Sequence, residues 1–164
     1  MVQLKAYGQS LIKTHLTVTK IVDGDGLIVQ NMFNQDEEEI RLIGIDAPEI
    51  KRSRKLLQDE RETHMPGELL LQLGIQSKEF LSTLVPVGSI VTIKMEKKRC
   101  YDTYGRTLAY VFLKDGTCIN EVLIREGYAK PYSRYFCEAL PEFQTLAFAA
   151  KTQKKGLFEI VPVF

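Results

Sequence analysis

From Leu16 to Val22 (LTVTKIV) apolar residues alternate with polar ones, the period-two pattern of a strand covered on one face. Asp23-Gly24-Asp25-Gly26 follows as a turn signal, and Leu27–Asn31 returns as a second strand. After the acidic loop Asp36–Glu39, Ile40–Ile45 (IRLIGI) reads as a third, with two more at Ser89–Met95 and Thr107–Leu113. Between the third and fourth strands the period changes. Leu69, Leu73, Phe80 and Leu84 share one helical face, widened by Leu70 and Leu81, and Pro86 and Gly88 end it. Gly74 interrupts that stripe and places the start of the regular helix just after itself. A short helix is expected over Ile119–Glu126, stopped by Gly127. Another is expected over Glu138–Lys154, with Pro141 in its opening turn and Phe143, Ala147 and Ala150 facing inward. The order βββαββαα predicts an α+β fold, a five-stranded OB-type β-barrel packed against three helices.

The 164 residues suit one domain, and 45% hydrophobic with 26% charged residues excludes a disordered or collagen-like chain. No apolar run reaches the roughly 18 residues of a membrane helix, so no membrane partner is expected. The net charge of +1 hides an uneven distribution. Residues 1–50 carry 4 basic and 8 acidic side chains, and residues 51–99 carry 10 basic and 6 acidic ones. An acidic segment beside a basic one suits a cation site next to an anion-binding surface, although charged stretches are more often simply solvated. Cys100, Cys118 and Cys137 are odd in number and lack CxxC spacing, which argues against a disulfide framework or a cysteine-built zinc site. Neither His15 nor His64 has a partner at ligand spacing. The first residues have no unbroken apolar stretch of the secretory type, so the expectation is an intracellular protein or one whose signal was removed.

Candidate chemistry gathers at strand ends. Asp25 lies in the first turn, and Asp46 and Glu49 lie in Asp46-Ala47-Pro48-Glu49 directly after IRLIGI. An aspartate in a turn most often caps its own backbone. Arg41 is less ordinary: inside an apolar strand, a guanidinium needs an anionic partner or solvent. Arg106 enters the last strand after Tyr104-Gly105. Carboxylates for a hard cation together with two arginines for a phosphate are the parts that phosphodiester cleavage requires.

Four segments carry a resemblance: Ile21–Asp25, Arg41–Glu49 (RLIGIDAPE), Asp102–Tyr110 (DTYGRTLAY), and Asn120-Glu121 with Arg125–Lys130. In this order they resemble the staphylococcal nuclease family over residues 16–160, with residues 1–15 as an N-terminal extension. The resemblance implies an OB-fold nuclease that uses Ca2+ on DNA and RNA and leaves 3′-phosphate and 5′-hydroxyl ends. Unpaired regions are the preferred substrate, and the protein is expected to act as a monomer. It further implies Asp25, Asp46 and the carbonyl of Ala47 as metal ligands, Glu49 as general base, and Arg41 and Arg106 on the phosphate. Tyr104, with Tyr132 or Tyr135, matches tyrosines that touch the nucleotide.

The sequence departs from the family pattern at Gly26, where threonine is usual, and at Thr103, where a lysine helps hold a terminal phosphate. The segment Ile50–Leu73 is also markedly longer, and it opens with Lys51, Arg52, Arg54 and Lys55. These are expected either as part of a solvated loop or as an arm contacting flanking phosphates. The competing reading is a catalytically silent OB module that binds nucleic acid or protein; survival of all five acidic and arginine positions favours the enzyme.

Overall fold

The computed structural model describes Val2 and residues 10–164, so most of the N-terminal extension lies outside the described residues. Five strands close a barrel in the order β1-β2-β3-β6-β5. They are β1 (Ser10–Asp23), β2 (Gly26–Asn31), β3 (Glu37–Leu42), β5 (Ile90–Glu96) and β6 (Thr107–Phe112). β1 starts six residues ahead of the expected strand, because Ser10–Lys13 pair with Glu96–Ile93 of β5. Register shifts along β1 let one long strand pair with both β2 and β5. β3 and β6 run parallel, with Ile40 opposite Thr107 and Arg41 opposite Leu108, and this seam closes the barrel.

IRLIGI is not one strand. β3 stops at Leu42, Gly44 takes φ +80°, and β4 (Ile45–Asp46) pairs instead with β7 (Lys130–Pro131). A side chain at position 44 would meet Cys137 Sγ and the Phe143 ring, so glycine is required both for the turn and for the space. Asn120, fully buried, fixes the break. Its amide donates to the Ile43 and Ala109 carbonyls at 3.0 and 3.2 Å, and its oxygen accepts from Val111 N at 3.0 Å.

There are four α-helices rather than three: α1 (Arg54–Thr63), α2 (Gly67–Leu84), α3 (Ile119–Arg125) and α4 (Leu140–Thr152). α1 lies inside the segment expected as a loop or arm. Ser53 caps it by accepting from Leu56 N at 3.1 Å, and buried Leu56 joins Leu70, Leu73, Leu157, Val161 and Phe164 in a cluster of their own. α2 starts well before Gly74 and runs through it. That glycine is buried against the backbone carbonyls of Pro48 and Glu49, where any β-carbon would collide. The barrel interior holds the main core, including Val18, Leu27, Val29, Ile40, Leu42, Ile93 and Val111, with Leu123 and Phe143 from the helices.

Candidate active site

The first turn aims a carboxylate inward. Asp23 Oδ1 accepts from Asp25 N at 3.2 Å, an Asx turn, so Asp23 serves its own backbone. Gly24 packs 2.7 Å, at its would-be β-carbon, from the β-carbons of Ala47 and Ser77, which presses the turn onto the loop after β4. Asp25 is only 6% exposed, and its Oδ2 accepts from Ala47 N at 2.9 Å.

Arg41 organises what lies around that carboxylate. One terminal nitrogen donates to the Leu42 and Ile45 carbonyls, both at 2.9 Å. The other lies 3.3 Å from Asp25 Oδ2 and 3.4 Å from Asp46 Oδ1. The Tyr132 ring covers the guanidinium at 5.7 Å, brought there because Tyr132 N donates to the Gly44 carbonyl at 2.9 Å. Burial alone would lower the arginine's affinity for its proton, but Asp25 and Asp46 outweigh it and hold it above its ordinary value. For Asp25 the balance goes the other way. Burial outweighs the Arg41 charge and pushes the carboxyl up to about 6.

Asp46 is 4% exposed, and both its oxygens face cations: Oδ1 faces Arg41, and Oδ2 lies 3.1 Å from Lys55 Nζ. Lys55 also reaches Asp59 Oδ1 at 2.5 Å, and the two carboxylates overcome the burial penalty to keep its ammonium charged. Lys55 therefore turns inward to the carboxylates, unlike Lys51, Arg52 and Arg54, which are exposed; Arg52 lies 3.9 Å from Glu68. Glu49 is half-buried and, among the described residues, has no hydrogen-bond or salt-bridge partner. Burial first, then the Asp25 charge, raises its pKa, against an opposing pull from Lys55.

Arg106 sits at the mouth of β6, two residues before the partner of Arg41. Asp102 holds it rigidly, accepting from Arg106 Nε at 2.7 Å and from the Tyr104 and Arg106 amides at 2.9 Å each. Burial works against the ionised form of Asp102, but these bonds prevail and keep its pKa low. The terminal nitrogens of Arg106 have no partner among the described residues, and Tyr104, 85% exposed, lies 5.7 Å from its guanidinium. Tyr132 and Tyr135 meet edge to face at 6.0 Å. Arg99 at 4.2 Å and Arg134 at 5.6 Å both cover the Tyr135 ring. Neither of these arginines stood out in the sequence. Arg134 lies in YSRYF, but the charge signal of Arg99 merges into the run KKR.

Among the described residues no three His, Cys, Asp or Glu side chains form a metal-holding group. The available donors are the carboxylates Asp25 and Asp46, converging on one guanidinium nitrogen, with the adjacent Ala47 main-chain carbonyl. All are hard oxygens, which fits a cation such as Ca2+ that completes its shell with water.

A closed five-stranded barrel with a carboxylate pair and an arginine at the break of one strand is an OB-type barrel with an anionic, oxygen-rich centre. The chain belongs to the staphylococcal nuclease homologue family, whose profile matches residues 39–159. It is 29% identical over 144 residues to Endonuclease YhcR of Bacillus subtilis, an alignment covering 86% of this chain but only 11% of that protein. It is 31% identical over 144 residues to an uncharacterized endonuclease of Escherichia coli O157:H7, covering 88% of this chain and 76% of the relative. A Methanocaldococcus jannaschii protein, MJ1439, is 30% identical over 147 residues, with 86% and 70% covered.

Proposed function

We propose that the chain is a nuclease that hydrolyses phosphodiester bonds of DNA and RNA with Ca2+, leaving 3′-phosphate and 5′-hydroxyl ends. One observation carries this reading: Asp25 and Asp46 converge on Arg41 beside a half-buried Glu49 that has no partner of its own among the described residues. Family membership and the endonuclease names of two relatives support it.

Asp25, Asp46 and the Ala47 carbonyl would hold the cation, which when bound supplies charge neutralisation at a phosphate oxygen. Glu49 takes the proton of the attacking water, and its raised pKa makes it a better base than a solvated glutamate. Arg106, fixed through Nε, offers its free terminal nitrogens to the charge that grows on the phosphoryl oxygens. Arg41 adds a second positive charge while anchoring the carboxylates. Tyr104, Tyr132 and Tyr135, backed by Arg99 and Arg134, present exposed rings to bases that only an unpaired strand displays. Lys51, Arg52 and Arg54 touch flanking phosphates; neutralising them should flatten the salt dependence of binding to long single strands.

The reading is tested by incubating a monomeric preparation with denatured DNA and with RNA in Ca2+, Mg2+ or chelator and identifying the ends formed. Cleavage is expected in Ca2+ and none in chelator. The Gly24 and Gly26 turn tolerates irregular coordination better than the octahedron that Mg2+ demands. Absence of cleavage under every condition, with binding retained, would instead favour a silent binding module.

Glu49→Gln keeps size and loses basicity. It should lower kcat by roughly 10²–10⁴ while calorimetry finds Ca2+ affinity nearly unchanged. A variant whose whole defect disappears at saturating Ca2+ would make Glu49 a metal ligand.

A further inference from the structure

Asp46 has no free oxygen. Oδ1 faces the Arg41 guanidinium at 3.4 Å and Oδ2 the Lys55 ammonium at 3.1 Å. A cation that uses this carboxylate must displace one of them. Arg41 is immobile: two carbonyls, Asp25 and the Tyr132 ring hold it in addition to Asp46. Lys55 has a flexible stem and a second partner one helical turn away, Asp59 at 2.5 Å. Asp59 is itself buried and adds a negative charge that belongs to neither the barrel nor the Asp46 loop. The helix that presents both residues is firmly seated, capped by Ser53 and plugged into the second apolar cluster by Leu56.

We infer that Lys55 is an internal competitor for the metal. Its ammonium holds the face of Asp46 that a divalent cation needs, and Asp59 receives it when the cation enters. α1 thereby sets the metal affinity of the site. The inference rests on the proposed use of Asp25 and Asp46 as ligands and names the residue that tunes them. It also gives the extra length of the 50–73 segment a task at the reaction centre.

The test is Ca2+ binding by isothermal titration calorimetry, which needs no nucleic acid. Lys55→Met should tighten the dissociation constant by about tenfold or more, since a contact charge at a part-buried pair is worth several times RT. Asp59→Asn, which leaves the ammonium on Asp46 alone, should weaken binding. The double variant should follow Lys55→Met, because Asp59 acts only through the lysine; it also covers the case in which Lys55→Met strands the buried Asp59 and unfolds α1. Lys51→Met, a neutralisation on the same segment without contact to Asp46, should shift affinity by no more than about threefold. The inference is overturned if Lys55→Met leaves the affinity unchanged, if Lys51→Met matches it, or if the double variant keeps the full Asp59→Asn defect. Binding by neither wild type nor Lys55→Met overturns the ligand assignment as well.

Discussion

Arg106→Lys is expected to lower kcat by roughly 10²–10³, the loss seen when one preorganised donor to a developing oxyanion is removed. The melting temperature should hardly move. The turn that carries Arg106 is held chiefly by Asp102 accepting from the backbone amides of Tyr104 and Arg106, and those bonds survive the substitution. What disappears is the clamp between Nε and Asp102, and with it the fixed direction of the two terminal nitrogens. Lysine keeps the charge but cannot present a rigid fork. Arg41→Lys is the instructive contrast. It leaves the Leu42 and Ile45 carbonyls and two nearly buried carboxylates without their shared partner, and breaking such a buried network costs about 3–5 kcal/mol. The first variant therefore isolates transition-state charge stabilisation, and the second mixes it with loss of the site. A folded Arg106→Lys protein that cleaves at the wild-type rate would remove Arg106 from the mechanism.

Asp25→Asn should stabilise the Ca2+-free protein at neutral pH, and the gain should vanish in acid. Burial raises the folded-state pKa of Asp25 to about 6 from an ordinary value near 4, despite Arg41. The native state thus holds this proton more tightly than the unfolded chain. Stability from the group is fully present below about pH 4 and is lost as the pH rises through about 6. The two-unit displacement corresponds to roughly 3 kcal/mol. Asparagine can still accept from Ala47 N without carrying the buried charge, so most of that penalty is removed. Adding Ca2+ should reverse the order, because a ligand that binds only the native wild type stabilises it in proportion to ln(1 + [L]/Kd). Urea denaturation of both proteins between pH 4 and 8, with and without Ca2+, measures this. A difference between them that stays constant across that range would contradict the burial argument.

The cost at Asp25 is the kind of local conflict that functional centres keep. Asp25, Asp46 and Glu49 converge at a position where the chain could have buried apolar groups, and the fold holds them there with glycines. Gly24 and Gly74 give up side chains so that the first turn and α2 press on the Ala47 and Glu49 backbone. Substitution of either would displace the carboxylates without touching them.

The sequence by itself determined the barrel and the chemical inventory. Strand alternation, the Asp-Gly-Asp-Gly turn and the α2 stripe are local signals, because each element has one face covered and one face wet. Arg41 stood out for the same reason, as a charge at a place where the pattern demanded an apolar residue. The tertiary structure decided three other matters. IRLIGI breaks at Gly44 because Cys137 and Phe143, nearly a hundred residues later, fill the space a side chain would need. α2 runs through Gly74 because its intrinsic helix penalty, about 1 kcal/mol, is outweighed by close packing on a loop that lies elsewhere in the chain. α1 is nearly silent in sequence, since RKLLQDERET carries only two apolar residues and just one of them, Leu56, is buried. Its role turns on Lys55, which reads as one of four equivalent cations until the fold sets Asp46 and Asp59 around it. Periodicity records which face of an element is covered; which charges meet across elements is fixed only when the chain closes on itself.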